Sequence, residues 1–104
     1  MQTKVIASLT MFPIGVGTSL GDYVRKAHAA IKSVKGVEVT PTPMATIVEA
    51  ESLDRVFQAI EAGRAALLEA GAQRIHIALT VDDRHDSPHT GAYKVARMTG
   101  EKTN

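Results

Sequence analysis

Val37-Glu38-Val39-Thr40-Pro41-Thr42-Pro43-Met44-Ala45-Thr46-Ile47-Val48-Glu49-Ala50-Glu51 is the stretch that decides the architecture. It reads as two strands in succession, about 37–42 and 44–51, joined at the Thr42-Pro43 step. Proline cannot donate to a ladder, so Pro41 assigns the first of the two to a sheet edge. On the second, period 2 sets Met44, Thr46 and Val48 against Ala45, Ile47 and Glu49, so Thr46 and Glu49 face opposite ways unless a bulge re-aims one.

A helix is expected on either side of this pair. Upstream, Leu20, Val24, Ala27, Ile31 and Val34 form one apolar stripe over about 19–34, with Ser19 as N-cap and Asp22 completing a short capping box. Downstream, Ser52 caps a helix over about 53–70 that buries Leu53, Val56, Phe57, Ile60, Leu67 and Leu68, and Gly71 takes the left-handed C-terminal position. Strands flank the helices. Val5, Ala7, Leu9 and Met11 alternate with Ile6, Ser8, Thr10 and Phe12 over 4–13. Ile75, Ile77, Leu79 and Val81 alternate with His76, Ala78, Thr80 and Asp82 over about 73–83. A short helix over about 89–98 and a fraying tail from Gly100 to Asn104 complete the chain.

The order β-α-β-β-α-β plus a terminal helix is the split βαβ, ferredoxin-like pattern of the α+β class. It predicts a four-stranded antiparallel sheet with two helices on one face and a short C-terminal helix. The 104 residues fill a single domain, 1–104. The open sheet face would carry Ile6, Ser8, Thr10, Phe12, His76, Ala78 and Thr80. That mixture is too apolar to leave wet and too polar for a core, which suggests a subunit interface holding a ligand pocket.

Composition narrows the function. The apolar fraction of 44% and charged fraction of 22% are those of a folded globule. Twelve basic against 11 acidic residues give a net charge of +1, and no basic stripe is present, so nucleic acid is not an expected partner. The absence of cysteine excludes disulfides, thiolate catalysis and Cys-ligated metal. No run approaches the ~20 apolar residues of a membrane span, and the N-terminus lacks a secretory pattern, so a soluble cytoplasmic protein is expected.

Three segments could carry chemistry. Gly15-Val16-Gly17-Thr18-Ser19 is a glycine turn at a helix start, where backbone N–H groups and two hydroxyls could hold an anion or a carbonyl, although it is neither a Walker A loop nor a dinucleotide fingerprint. Thr42 to Glu49 offers Thr46 and Glu49 as hydrogen-bonding groups. Asp82-Asp83-Arg84-His85-Asp86, followed by His89, reads as an ion-pair loop rather than a metal site, because Pro88 keeps His85 and His89 off one helix. His28 and His76 read as structural. His76 and Asp82 lie roughly 20 Å apart along one strand, so they make no acid–base pair within one chain. No catalytic residue and no metal ligand is assigned.

Together, Pro13-Ile14-Gly15-Val16-Gly17-Thr18-Ser19-Leu20, Thr42-Pro43-Met44-Ala45-Thr46-Ile47-Val48-Glu49-Ala50 and Ile77-Ala78-Leu79-Thr80-Val81-Asp82-Asp83-Arg84 with Asp86 resemble the YkoF-like thiamine-binding protein family, in order and spacing over nearly the whole chain. Ala45 and Ala50 stand where that family usually has glycine, and His85 where a basic residue is common. The resemblance implies the ferredoxin-like fold, sheet-to-sheet dimers paired into a homotetramer, and non-enzymatic binding of thiamine (vitamin B1) or its hydroxymethylpyrimidine half, with no cofactor beyond that ligand. Thr10, Gly17, Thr18, Ser19, Thr46, Glu49 and Asp82 are the candidate ligand-binding residues. Hydroxyls would bond ring nitrogens, a carboxylate would accept from the exocyclic amine, and Phe12 would stack on a ring. The alternatives are an anion- or effector-sensing regulatory subunit using the Gly15–Ser19 turn, and an enzyme whose site is shared between subunits.

Overall fold

A computed structural model describes residues 3–87 and 89–100. Its elements are β1 (Val5–Pro13), α1 (Gly21–Lys32), β2 (Val37–Pro41), β3 (Thr46–Ala50), α2 (Leu53–Glu69), β4 (Ile75–Asp83) and α3 (Gly91–Thr99). The strands form one antiparallel sheet in the order β2-β3-β1-β4, the ferredoxin-like order, with Pro41 on an edge as expected. Met1, Gln2, Pro88 and the 101–104 part of the anticipated fraying tail lie outside the described residues.

The core follows from strand alternation. Val5, Ala7, Leu9 and Met11 of β1 and Val48 and Ala50 of β3 are buried against Ala27 and Ile31 of α1 and Val56, Ala59 and Leu67 of α2. The two helices approach closely because α2 presents Ala59 and Gly63 at their seam. A Cβ on Gly63 would stand 2.9 Å from Ile31 Cδ1 and 3.1 Å from Met11 Sδ, so any larger residue would have to push those side chains aside. This seam changes the expected buried face of α2. Phe57 and Leu68 are exposed, while Val56 and Leu67 are buried together with Ala59 and Gly63, and Leu53 and Ile60 pack against the core.

The helix ends differ from expectation at one place. α1 begins at Gly21 with Leu20 as N-cap and no side-chain cap. Ser19 lies before it, and Asp22 pairs with Arg25 at 2.8 Å instead of closing a capping box. Ser52 does cap α2, accepting from the Arg55 N–H. At the other end Gly71 has φ +104°, and the Gly71 and Ala72 N–H groups donate to Leu68 and Leu67 carbonyls, which satisfies the last turn in the Schellman manner.

β4 is the exception to the core. It pairs with β1 over its whole length, from Ile75↔Pro13 to Asp83↔Val5, yet none of its residues is buried. The two helices pack over the other three strands and cover β4 little.

Candidate functional site

The register separates the candidate residues into two groups. β3 pairs with β1 only as far as Thr46↔Leu9, whereas β4 continues to Pro13. Beyond Leu9, β1 is therefore unpaired on its β3 side. A half-open cleft of about 230 Å³ lies there, with Leu9–Phe12 as one wall, Leu20 and Val24 of α1 as another, and Thr42–Thr46 as the third. The β2–β3 turn that forms the third wall is closed by hydrogen bonds between Thr42 and Ala45. Thr42 Oγ1 accepts from the Ala45 N–H at 3.0 Å and donates to the Ala45 C=O at 2.6 Å, which leaves Met44 exposed at the tip. Thr10 and Thr46 both line this cleft, Thr46 from the helix side of the sheet. Ala45 lines it as well. Ala50 is wholly buried. Gly17, Thr18 and Ser19 are exposed in the loop that leads into Leu20, and Gly15 and Gly17 give that loop its shape with φ of +87° and +92°. Among the described residues, the hydroxyls of Thr10, Thr18, Ser19 and Thr46 have no hydrogen-bond partner.

Phe12 stacks on His76 across the strands, with centroids 4.9 Å apart and planes at 30°. This pair sits on the open face behind the cleft, and it gives Phe12 one occupied side.

Glu49 and Asp82 form the second group, on the open face and three residues further along the strands, roughly 10 Å from Leu9 and Thr46. They flank Ile6 in one row, and both engage α3. Glu49 is buried, and its Oε1 accepts from the Gly91 N–H at 2.5 Å. A carboxylate at the first turn of a helix satisfies an orphan donor and meets the positive end of the helix dipole. Lys94 Nζ donates to Asp82 Oδ2 at 2.5 Å, and this hydrogen bond, more than the nearby Lys94, His89 and Arg84 charges, holds the Asp82 carboxyl below the usual carboxylate range. His89 is buried with its Nε2 3.7 Å from the same oxygen. The Asp-rich loop is an ion-pair loop. Arg84 grips Asp86 with two bonds, at 2.6 and 3.1 Å, which lower the Asp86 carboxyl to about 2, and His85 lies 3.0 Å from Asp83.

The candidate residues thus do not meet at one point within a protomer. Thr10 and Thr46 share the cleft, the 17–19 loop borders it in sequence, and Glu49 and Asp82 hold the C-terminal helix. Sequence reading missed the cleft's apolar wall of Leu20 and Val24 and the anchoring of α3 through Gly91 and Lys94. Glu49 in an apolar strand signalled a partner, but that partner is 42 residues away.

The arrangement is that of an α+β ferredoxin-like protein with a small cleft at one end of its sheet and no convergent catalytic constellation among the described residues. The chain belongs to the thiamine-binding protein family, whose sequence pattern matches residues 7–99. It is 39% identical over 84 residues to a UPF0045 protein of Methanothermobacter thermautotrophicus, covering 80% of this chain and 84% of that protein. A UPF0045 protein of Bacillus subtilis is 31% identical over 94 residues, covering 86% of this chain and 89% of that protein. Among solved structures, a hypothetical protein of Methanocaldococcus jannaschii superposes with a TM-score of 0.78 at 29% identity, covering 98% of this chain and 100% of that one. A putative thiamine biosynthesis/salvage protein of Thermotoga maritima shares the fold, with a TM-score of 0.72 at 23% identity over 90% of this chain and 97% of that one.

Proposed function

We propose that this protein binds thiamine or its hydroxymethylpyrimidine half without chemical conversion, as a cytoplasmic homotetramer built as a dimer of dimers. Membership of the thiamine-binding protein family carries this reading. The cleft supports it. An aminopyrimidine is a flat ring with donors and acceptors on its rim. The cleft offers apolar walls from Leu20 and Val24 and hydroxyls on Thr10 and Thr46. The Met11 backbone N–H and C=O, on the unpaired side of β1, supply a donor and an acceptor side by side.

Volume favours the smaller half of the ligand. Sites that enclose a whole small molecule run to about 300–1,000 Å³. At about 230 Å³ the cleft accepts one ring, and the remainder of thiamine extends toward the exposed Gly17-Thr18-Ser19 loop or toward a second subunit. In this reading Thr10, Gly17, Thr18, Ser19 and Thr46 contact the ligand. Glu49 and Asp82 act one step back, by holding α3. The mixed open face, with half-buried Ile6, Ser8, Thr10 and Phe12, supports sheet-to-sheet pairing of subunits.

Isothermal titration with thiamine, hydroxymethylpyrimidine and thiamine phosphate tests the proposal. Saturable binding that weakens about tenfold in Thr46→Val, and is unchanged in Asp82→Asn, is expected. Folded protein giving no heat with any of the three ligands overturns it.

A further inference from the structure

β4 presents an outer edge that is built to pair. Its alternate residues face different ways along the sheet. The Ile14 N–H donates to the Arg74 C=O, and the Arg84 N–H donates to the Lys4 C=O, so even-numbered β4 positions bond to β1. The N–H and C=O groups of Ile75, Ile77, Leu79 and Val81 therefore point outward. The strand is nine residues long, runs in unbroken register with β1, and contains no proline, glycine or lysine. Ile77 and Val81 are 39% and 37% exposed, although they lie on the face that the helices cover elsewhere. Natural sheets blunt a free edge with short length, charged side chains, proline or a bulge; β4 is long, has no proline or bulge, and is charged only at its last two residues, Asp82 and Asp83.

We propose that β4 pairs antiparallel with β4 of a second copy of this chain, about a two-fold axis at Ala78, so that the two sheets join into one of eight strands. In this register Ile77 meets Leu79 and Ile75 meets Val81 of the second copy, and every outward backbone group of these four residues finds a partner. Just beyond, Arg74 meets Asp82. Arg74 has no ion pair within the chain among the described residues, and the Lys94 and His89 contacts of Asp82 both use Oδ2, which leaves Oδ1 to accept. Moving the axis to Leu79 instead would set Arg74 against Arg84 and Ile75 against Asp83. Like charges and an apolar–acidic pair disfavour that register.

The chain lacks cysteine, so a single introduced thiol reports the register. At the axis, Ala78 faces its own copy in a non-hydrogen-bonded pair with Cα atoms about 4.5 Å apart, within disulfide reach. Two copies of Thr80 would lie about 13 Å apart, beyond it. Mild oxidation of Ala78→Cys is expected to give a covalent dimer on non-reducing gels, and Thr80→Cys none. In parallel, Ile77→Lys, with its circular dichroism checked against wild type, is expected to halve the mass measured by light scattering. A monomeric wild type, an Ala78→Cys protein that stays uncrosslinked, or cross-linking at Thr80 in its place overturns the proposal. Titration of thiamine into the same samples reads the cleft separately, so an edge that fails to pair and a cleft that fails to bind are distinguished.

Discussion

β2 and β4 are the outer strands of one sheet, and each has one free edge. β2 is five residues long, places Glu38 on the open face and ends at Pro41. β4 is nearly twice as long, has no proline, is charged only at its Asp82-Asp83 end, and leaves Ile77 and Val81 exposed. Both segments read as strands in sequence. The difference lies in what a second strand would meet on arrival. At β2 it meets a short ladder that ends in a missing N–H. At β4 it meets a continuous ladder flanked by isoleucine, leucine and valine.

The largest expected effect separates the inner from the outer side of β4. Ala78→Pro removes an N–H that bonds to β1 and leaves the Thr10 C=O unpaired. A loss of about 2–3 kcal/mol, or a fall in Tm of roughly 10–20 °C, is expected in differential scanning calorimetry. Ile77→Pro removes an N–H that faces outward, so it should cost the fold less than half as much while it blocks self-pairing. Equal destabilisation by the two would break the distinction. Next is the anchor at the Asp82 end of β4. Glu49→Ala leaves the Gly91 N–H without its acceptor and should cost about 1 kcal/mol, seen as a lower urea midpoint together with faster amide exchange confined to α3. A smaller effect is expected at the other edge. Pro41→Val restores a donor to β2 and should raise concentration-dependent light scattering slightly, with Tm within about 2 °C of wild type. The smallest is acid sensitivity. Lys94 holds the Asp82 carboxyl below its unfolded value, so its contribution is present above the usual carboxylate range and is lost as pH falls through the lowered value. Tyr93 fluorescence on α3 should therefore shift below about pH 4, and Lys94→Met should shift less over the same range.

Most of the fold was legible because alternation and caps are local signals. Two strands between two helices set the topology, and Pro41 set one edge. The capping of α1 was misread because Ser19 and Asp22 have the right types, and only the structure shows Arg25 taking the carboxylate. The buried face of α2 holds for Leu53, Val56, Ile60 and Leu67 and fails at Phe57 and Leu68, for a different reason. Close helix approach rewards Ala59 and Gly63, whereas a stripe search rewards Phe57 and Leu68. The site was legible by halves. Thr10 and Thr46 are brought together by the end of one strand pairing, which the register shows and the sequence does not. Glu49 was recognisable as a carboxylate needing a partner, but nothing near it in sequence names Gly91.

That last bond orders events in time. An isolated helix of nine residues is marginal in water, and α3 has no fully buried residue to hold it. Its first turn is completed by a carboxylate 42 residues earlier, on a strand that must already lie beside β1. The C-terminal segment should therefore fold late, on a sheet that is already formed, and in the native protein it should be the first element to unwind.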